Sequence, residues 1–340
     1  MNSEFDVKSH PPVPFQAWAR LADSVPPVGF IDVCLRGCGQ VLLQNNPLTG
    51  LFFLAAIIWA AHVESNPGVA IGAVAATAIA TGTAYLFKMD KESLRSGLYG
   101  YSATLMGIGL PTFLSSSPYL WLCLVFGAIL CPIFTLVLAK ILKTWQGAAL
   151  TAPFVFVTWF IMLGANNFSH LHSSVLPAPM LPHPLNASSL GGALSVTDFI
   201  SAGLYGASEV FLLPSMISGA LILIGLAVSS GWVLGFGIIG TLLPLAVGQF
   251  LGADPSLLHA GLYSFSGVLT AVAIGHTFNQ PSWRVLIYTV ICVVFTVFVQ
   301  GALAAILSPY GLPVLTMPFV MASWLFLVAD DQLMPKHHRL

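Results

Sequence analysis

The same short motif occurs twice in this chain of 340 residues, as Leu150-Thr151-Ala152-Pro153-Phe154 and as Leu315-Thr316-Met317-Pro318-Phe319. A tryptophan follows each copy at the same spacing, Trp159 after the first and Trp324 after the second. In a strongly apolar chain, a repeat of about half the chain length is typical of membrane transport proteins built from two related halves. The motif therefore predicts two similar halves, with the functional site where they face each other.

The composition indicates where such halves can fold. Hydrophobic residues make up 57% of the chain and charged residues 7%, whereas a soluble domain carries about 25% charged residues. Polar groups cannot cover the surface of such a chain, so we predict a multi-pass protein embedded in a lipid bilayer. The net charge of -1 gives no indication of a nucleic-acid partner. The cysteines lie in or beside apolar segments, where we expect small buried residues rather than disulfides or metal ligands.

Apolar segments alternate with short breaks along the chain, six before and six after a stretch at 165–197 that is rich in Pro, Ser, His and Gly. They cover residues 30–46, 47–62, 68–87, 97–110, 119–140, 147–164, 199–213, 216–229, 231–251, 261–275, 285–307 and 312–329. A spanning helix needs about 20 residues, and the segments at 97–110 and 261–275 are shorter than that. They also begin with related sequences, Gly97-Leu98-Tyr99-Gly100-Tyr101-Ser102 and Gly261-Leu262-Tyr263-Ser264-Phe265-Ser266. Short, glycine-containing segments at matching positions predict re-entrant half-helices beside a solute path.

These segments predict an all-α integral membrane protein of two inverted repeats, each with five transmembrane helices and one re-entrant half-helix, and with a pore at the repeat interface. An odd number of crossings in the first half inverts the second half and leaves both termini on one side. Basic residues near both ends predict that this side is the cytoplasm, and the lack of a targeting segment favours a bacterial inner membrane. The domains are then a cytoplasmic extension at 1–27, a first repeat at 28–164, an external linker at 165–197, a second repeat at 198–330 and a cytoplasmic tail at 331–340.

A second crossing scheme remains open. The first scheme leaves Lys88, Lys91 and Arg95 on the outer side, against the preference of basic residues for the cytoplasm. If 97–110 crossed fully and 30–62 crossed only once, all Lys and Arg residues would be cytoplasmic. Both schemes keep the inversion and the external linker, and segment length favours the first.

The inverted repeat is expected to bring equivalent residues together near the middle of the membrane. The facing pairs are Thr151 and Thr316, Gln40 and Glu209, Tyr101 and Phe265, and Leu105 and Leu269. The polar members offer oxygen acceptors, and no Lys or His joins them. A solute that leaves water loses about 1–3 kcal/mol for each polar group that finds no new partner, so an acceptor-rich path suits a solute that is mainly a donor. Urea is planar, uncharged and rich in N–H groups, whereas anions would suit this path poorly.

Several sequences in the chain resemble the urea transporter family. The stretch from Arg36-Gly37-Cys38-Gly39-Gln40-Val41 to Gln44-Asn45-Asn46-Pro47-Leu48-Thr49-Gly50 is similar to that family's first-helix signature. Gly97-Leu98-Tyr99-Gly100-Tyr101 is similar to its pore half-helix, and the two Leu-Thr-X-Pro-Phe motifs are similar to its duplicated signature. The resemblance covers about residues 28–330 and implies a homotrimer with one pore per subunit and passive, channel-like urea flux. It also implies two outer sites around a narrow middle, where paired threonines and leucines contact the solute.

The repeat and the resemblance together define a set of candidate pore residues: Gln40, Val41, Leu43, Tyr101, Leu105, Thr151, Glu209, Val210, Leu212, Phe265, Leu269 and Thr316. The chain departs from the family pattern at Leu43 and Leu212, where the family often has a slot-forming Phe. It departs again at Tyr101, where the family's half-helix has Phe. We expect weaker aromatic slots, and a tyrosine hydroxyl that either bonds the solute or narrows the bore.

Several of these residues also have a structural alternative. Glu209 could bond a neighbouring helix end, although a charge in mid-membrane costs at least about 2.5 kcal/mol and is functional by default. Thr151 and Thr316 could cap the helices that begin beside the following Pro. The aromatic and leucine pairs could serve packing alone.

The remaining polar motifs carry little chemistry. His170, His172 and His183 lie in the Pro-rich linker without nearby acids or cysteines, so we expect no metal site, and we expect no cofactor. Asn186-Ala187-Ser188 matches a glycosylation sequon, which is a weak signal. The alternatives to urea transport are a channel for another small neutral amide or ammonia-like solute and a cation-coupled secondary transporter. An intramembrane enzyme would need a nucleophile–base pair, and the apolar segments offer none.

Overall fold

Both halves of the chain form the same succession of helices in the computed structural model, which describes residues 13–145, 147–172, 176, 178–182, 194–334 and 337. The first half contains α1 (Val13–Ser24), α2 (Pro26–Gln40), α3 (Pro47–Val63), α4 (Pro67–Leu86), α5 (Lys91–Arg95), α6 (Tyr101–Phe113), α7 (Pro118–Leu142) and α8 (Ala152–Ala165). The second half contains α9 (Val196–Glu209), α10 (Met216–Ser229), α11 (Gly231–Phe250), α12 (Pro255–His259), α13 (Phe265–Val272), α14 (Trp283–Leu307) and α15 (Met317–Leu333). A π-helical turn, Ala273–Thr277, extends α13. Helices α2–α8 correspond in order to α9–α15, so the repeat that the sequence predicts extends to the succession of elements.

Some predicted features lie outside the described residues. They are residues 1–12 of the N-terminal extension, part of the linker at 165–197 with His183 and the sequon at 186–188, and Lys336 and Arg339 of the tail.

Matching caps begin the equivalent helices of the two halves. The side chain of Asp90 accepts from the backbone N–H of Ser93 at the start of α5, and Asp254 accepts from that of Ser256 at the start of α12. Ser117 and Ser282 cap α7 and α14, which have 25 residues each. Caps satisfy the free N–H groups of a first helical turn, so they fix where each helix begins.

The helices carry the apolar surface of a membrane protein. Four of the described helical stretches are long and apolar enough to cross a bilayer, namely Pro67–Leu86, Pro118–Trp145, Gly231–Phe250 and Trp283–Tyr310. Large apolar side chains lie on their outer faces, with Leu122 67% exposed on α7 and Phe298 56% exposed on α14. Contiguous apolar surface of this kind requires lipid or a protein partner rather than water. The chain is therefore an all-helical, multi-pass membrane protein.

Reciprocal hydrogen bonds join the two halves. In the contact between α3 and α10, Thr49 Oγ1 donates to the Gly225 carbonyl at 2.9 Å, and Ser218 Oγ donates to the Ala56 carbonyl at 2.8 Å. Thr49 corresponds to Ser218 in the repeat, and Ala56 corresponds to Gly225. When residue i contacts residue j and their equivalents contact each other in the same way, a local two-fold relates the two surfaces.

The motif helices repeat this reciprocity. Trp159 Nε1 on α8 donates to the Pro313 carbonyl, and Trp324 Nε1 on α15 donates to the Ala148 carbonyl, both at 2.9 Å. The tryptophans that follow the two motifs thus each reach the chain just before the other motif.

The course of the first half differs from the preferred crossing scheme. The start of α2 lies against the end of α4, where the rings of Phe30 and Tyr85 are 6.1 Å apart. Helices α3 and α4 are joined by a short loop, so α2 and α3 together lead from one end of α4 to the other. The segments at 30–46 and 47–62 therefore form one broken crossing rather than two.

Helix α6 also differs from a re-entrant half-helix. It runs antiparallel to α4, because Thr104 Oγ1 lies 2.6 Å from Thr77 Oγ1 while Asn66 Nδ2 donates to the Pro111 carbonyl at 3.0 Å. The chain from α5 to α6 thus covers the whole length of α4, and the re-entrant interpretation of 97–110 is wrong. Segment length misled the prediction because this crossing is divided into α5, a turn and α6.

The equivalent segment of the second half packs in the same manner. Ser264 Oγ, just before α13, donates to the Thr241 carbonyl on α11 at 2.8 Å. At the other end of the segment, Gly275 lies against the ring of Phe236. The segment at 261–275 therefore also runs antiparallel to its neighbouring long helix instead of turning back.

Candidate functional site

The two threonines of the repeated motif meet where the halves join. Thr151 Oγ1 and Thr316 Oγ1 lie 2.6 Å apart, and both residues are buried. Each follows a leucine in the left-handed region, Leu150 at φ 48° and Leu315 at φ 50°. This conformation is unfavourable for a leucine, and it turns the chain so that each threonine lies at the contact as the next helix begins. Thr151 makes no side-chain cap bond to α8, so the capping alternative does not account for its hydroxyl.

Tyr101 supports one of these motifs rather than offering a free hydroxyl. Its Oη donates a hydrogen bond to the carbonyl of Leu150, which is the residue before Thr151. The equivalent residue, Phe265, has no hydroxyl for Leu315. The Tyr101 proton is therefore taken by a backbone oxygen, and the hydroxyl oxygen could act toward a solute only as an acceptor; a bond from this hydroxyl to the solute stays a prediction.

A cavity of about 800 Å³ lies beside the first motif. It is lined by the predicted residues Gln40, Leu43 and Tyr101, together with Leu150. Gln40 Nε2 donates to the Ser96 carbonyl at 2.9 Å, which fixes the amide nitrogen and leaves Oε1 as the acceptor.

Phe278 from the second half also lines this cavity, and the sequence prediction missed it. It follows the π-helical turn after α13 and belongs to no repeated motif. The only sequence signal for it was its position just after the pore segment of the other half.

The second half has the equivalent turn at the end of α9. Leu43 and Leu212 both take a left-handed conformation, with φ of 62° and 56°, and Val41 and Val210 are both buried. Glu209 ends α9 and is half-buried. Among the described residues its carboxylate makes no hydrogen bond or ion pair, so the alternative of a Glu209 bonded to a helix end finds no partner in the structure.

The apolar members of the predicted set belong to one continuous core. It contains Val41, Tyr101, Leu105, Val210, Phe265 and Leu269, with Leu43 and Leu212 packed against it. Leu105 and Leu269 are fully buried, so they lie inside the bundle and not on its outer face. Elsewhere, His170 stacks on Tyr119 with the ring centres 4.7 Å apart, and no cluster of metal-ligating side chains occurs in the described part of the chain.

A helical membrane protein built from two related halves has an architecture that is typical of solute transport proteins. The family described as "Urea transporter" matches residues 31–331, and this chain belongs to that family. It is therefore a transport protein and not an enzyme.

Curated relatives agree with this assignment. The chain is 28% identical over 318 residues to "Urea transporter 1" of Ovis aries, covering 92% of this chain and 80% of the relative. The protein of the same name from Capra hircus is similar to the same extent. That of Rattus norvegicus is 27% identical over 322 residues, covering 94% of this chain and 81% of the relative.

Proposed function

We propose that this protein conducts urea passively across the membrane, down its concentration gradient. The contact of Thr151 with Thr316 carries the proposal, because it places two hydroxyls at the junction of the halves in a member of the urea transporter family. The central path, as we define it, leads from the cavity at Gln40 past the two threonines to Glu209.

The polar groups on the central path would bind urea at its two mouths and at its centre. The Oε1 atom of Gln40 would accept a urea N–H at one mouth, and the Glu209 carboxylate would do so at the other. At the centre, the threonine hydroxyls now satisfy each other. Urea would replace that bond with its own N–H and C=O groups, so neither hydroxyl loses its partner during passage.

Apolar side chains would restrict the path to flat solutes. Leu105 and Leu269 flank the centre, and Phe265 forms a wall in the second half. Leu43 and Leu212 replace aromatic slot residues, so they would hold the plane of urea less tightly. Val41 and Val210 complete the apolar lining.

The proposed topology has two inverted repeats of five crossings each, and in each repeat two of the crossings are divided into shorter helices. The linker at 165–197 would be external, and both termini would be cytoplasmic in a bacterial inner membrane. This arrangement would put Lys88, Lys91 and Arg95 in the cytoplasm, together with the other basic residues. The extension at 1–27, the repeats at 28–164 and 198–330 and the tail at 331–340 keep their predicted boundaries. We also propose a homotrimer with one pore per subunit, on the family resemblance.

The proposal can be tested with purified protein in liposomes. A urea gradient is imposed by rapid mixing, and vesicle volume is followed by light scattering. We expect urea-dependent swelling above that of protein-free liposomes, unchanged when proton and sodium gradients are collapsed. Flux that requires either gradient would indicate a cation-coupled transporter, and swelling with ammonium but not urea would indicate an ammonia-type channel. Either result contradicts the proposal.

A further inference from the structure

Buried hydroxyls without a hydrogen-bond partner occur at equivalent positions in the two halves. Thr158 on α8 and Ser323 on α15 are fully buried, and neither hydroxyl has a partner among the described residues. Ser102 and Ser266 form a second such pair. Native proteins keep few unsatisfied buried polar groups, because each is unfavourable. A pair that keeps the hydroxyl while changing between Thr and Ser indicates that the hydroxyl itself is needed.

Thr158 and Ser323 lie on the same helix faces as the central threonines. Each is seven residues beyond its threonine, which is two helical turns and returns to nearly the same face. Thr158 is therefore displaced from Thr151 along α8, and Ser323 is displaced from Thr316 along α15.

The position of Thr158 can be fixed more closely by Gly109. A Cβ atom built on Gly109 would lie 3.8 Å from Cγ2 of Thr158 and 3.5 Å from Cδ1 of Leu212. Leu212 is three residues after Glu209 in the chain. Because Thr158 and Leu212 both lie beside Gly109, Thr158 is on the side of the central threonines that leads to the Glu209 mouth. The reciprocal tryptophan bonds show that α15 is placed in the second half as α8 is in the first. By this symmetry, Ser323 lies between the central threonines and the Gln40 mouth.

We infer that Thr158 and Ser323 are two further solute-contacting hydroxyls, one on each side of the central threonines. This inference rests on the proposed function and extends its path from two buried hydroxyls to four. The ligand is a small neutral solute with N–H donors, which each hydroxyl oxygen accepts as the solute passes.

Other buried threonines show what a structural hydroxyl does in this protein. Thr289 Oγ1 donates to the Val285 carbonyl one turn earlier at 2.7 Å, and Thr296 Oγ1 donates to the Cys292 carbonyl at 2.9 Å. Thr158 has no such bond to its own helix. A satisfied hydroxyl and an unsatisfied one should therefore respond in opposite ways to removal.

The experiment compares Thr158→Val and Ser323→Ala with Thr289→Val as a matched control. Urea permeability per reconstituted protein and the thermal midpoint of the detergent-purified protein are measured for each. We expect about fivefold lower permeability for each path variant, as loss of one hydrogen bond predicts, with an unchanged or higher midpoint. The control should lower the midpoint and leave permeability unchanged.

The outcomes separate this inference from the proposed function. Normal wild-type flux with unchanged flux in both path variants overturns the inference alone. A lower midpoint that accompanies lower flux would assign the two hydroxyls a structural role and also overturns it. Absence of urea flux in the wild-type protein overturns the proposed function and the inference together.

Discussion

Tyr101 illustrates how a single side chain shapes the candidate site at the residue scale. Its hydroxyl bonds the Leu150 carbonyl, and Leu150 holds a left-handed conformation just before Thr151. The hydrogen bond stabilises the unfavourable backbone conformation of Leu150 and so fixes the position of the Thr151 hydroxyl. In the second half Phe265 gives Leu315 no such support, so the two motifs are held differently although they have the same geometry.

Replacing Tyr101 with Phe should destabilise the protein. The change leaves the Leu150 carbonyl buried without this donor, which costs about 1–3 kcal/mol. Tyr119→Phe is the control, because Tyr119 is 45% exposed. The midpoint of thermal unfolding in detergent should fall for the first variant and stay constant for the second. Equal midpoints for wild type and Tyr101→Phe would show that the bond contributes nothing to stability.

At the element scale, close helix crossings place the turns that carry Gln40 and Glu209. A Cβ on Gly50 would lie 1.8 Å from the Leu35 carbonyl oxygen, and one on Gly219 would lie 2.0 Å from that of Leu204. Only glycine allows α3 to cross α2, and α10 to cross α9, at this distance. These close helix–helix contacts bring the turns after α2 and α9 back toward the junction of the halves.

Alanine at either crossing should prevent normal packing. Gly50→Ala and Gly219→Ala force backbone apart, at an expected cost of about 3 kcal/mol or more. Gly82→Ala is the matched control, because a Cβ there has no neighbour within 4 Å and alanine favours a helix. The fraction of protein that elutes as a folded species measures the effect. If all three variants folded equally well, the helix–helix contacts at Gly50 and Gly219 would tolerate a larger separation than the structure indicates.

The sequence predicted the pairing of the halves well and the crossings poorly. Thr151 and Thr316 could be paired because equivalent residues contact each other when they lie near the two-fold axis, and the repeat predicted that both motifs lie at the interface of the halves. The crossing through α5 and α6 appeared only in the second crossing scheme, because segment length counts continuous apolar residues and this crossing is interrupted at Gly97. The bond from Tyr101 to Leu150 and the contribution of Phe278 depend on packing between distant parts of the chain, which no local pattern records.

At the scale of the whole molecule, the reciprocal contacts define how the two halves are arranged relative to each other. The basic segment at 88–95 lies at the same end of the bundle as α1, where Arg95 pairs with Asp23. In the proposed topology this end is cytoplasmic, as the preference of basic residues for the cytoplasm predicts.

Labelling from one side of the membrane tests this orientation. Lys91→Cys in a cysteine-free variant should react with an impermeant maleimide in inside-out vesicles and stay protected in right-side-out vesicles. A cysteine at position 181, in the linker, is the opposite control and should react only from outside. Reaction of Lys91→Cys from the outside would restore the re-entrant scheme and contradict the proposed topology.

The central claim is that urea passes between Thr151 and Thr316, and relative urea permeability in proteoliposomes tests it most directly. Thr316→Val keeps the size of the side chain and removes one hydroxyl, whereas Leu269→Ile keeps the chemistry and alters only shape. We predict that Thr316→Val lowers permeability per folded protein about fivefold or more, as loss of a hydrogen bond requires, and that Leu269→Ile changes it much less. Equal permeability in the two variants would contradict the account, because the central oxygens would then play no part in conduction.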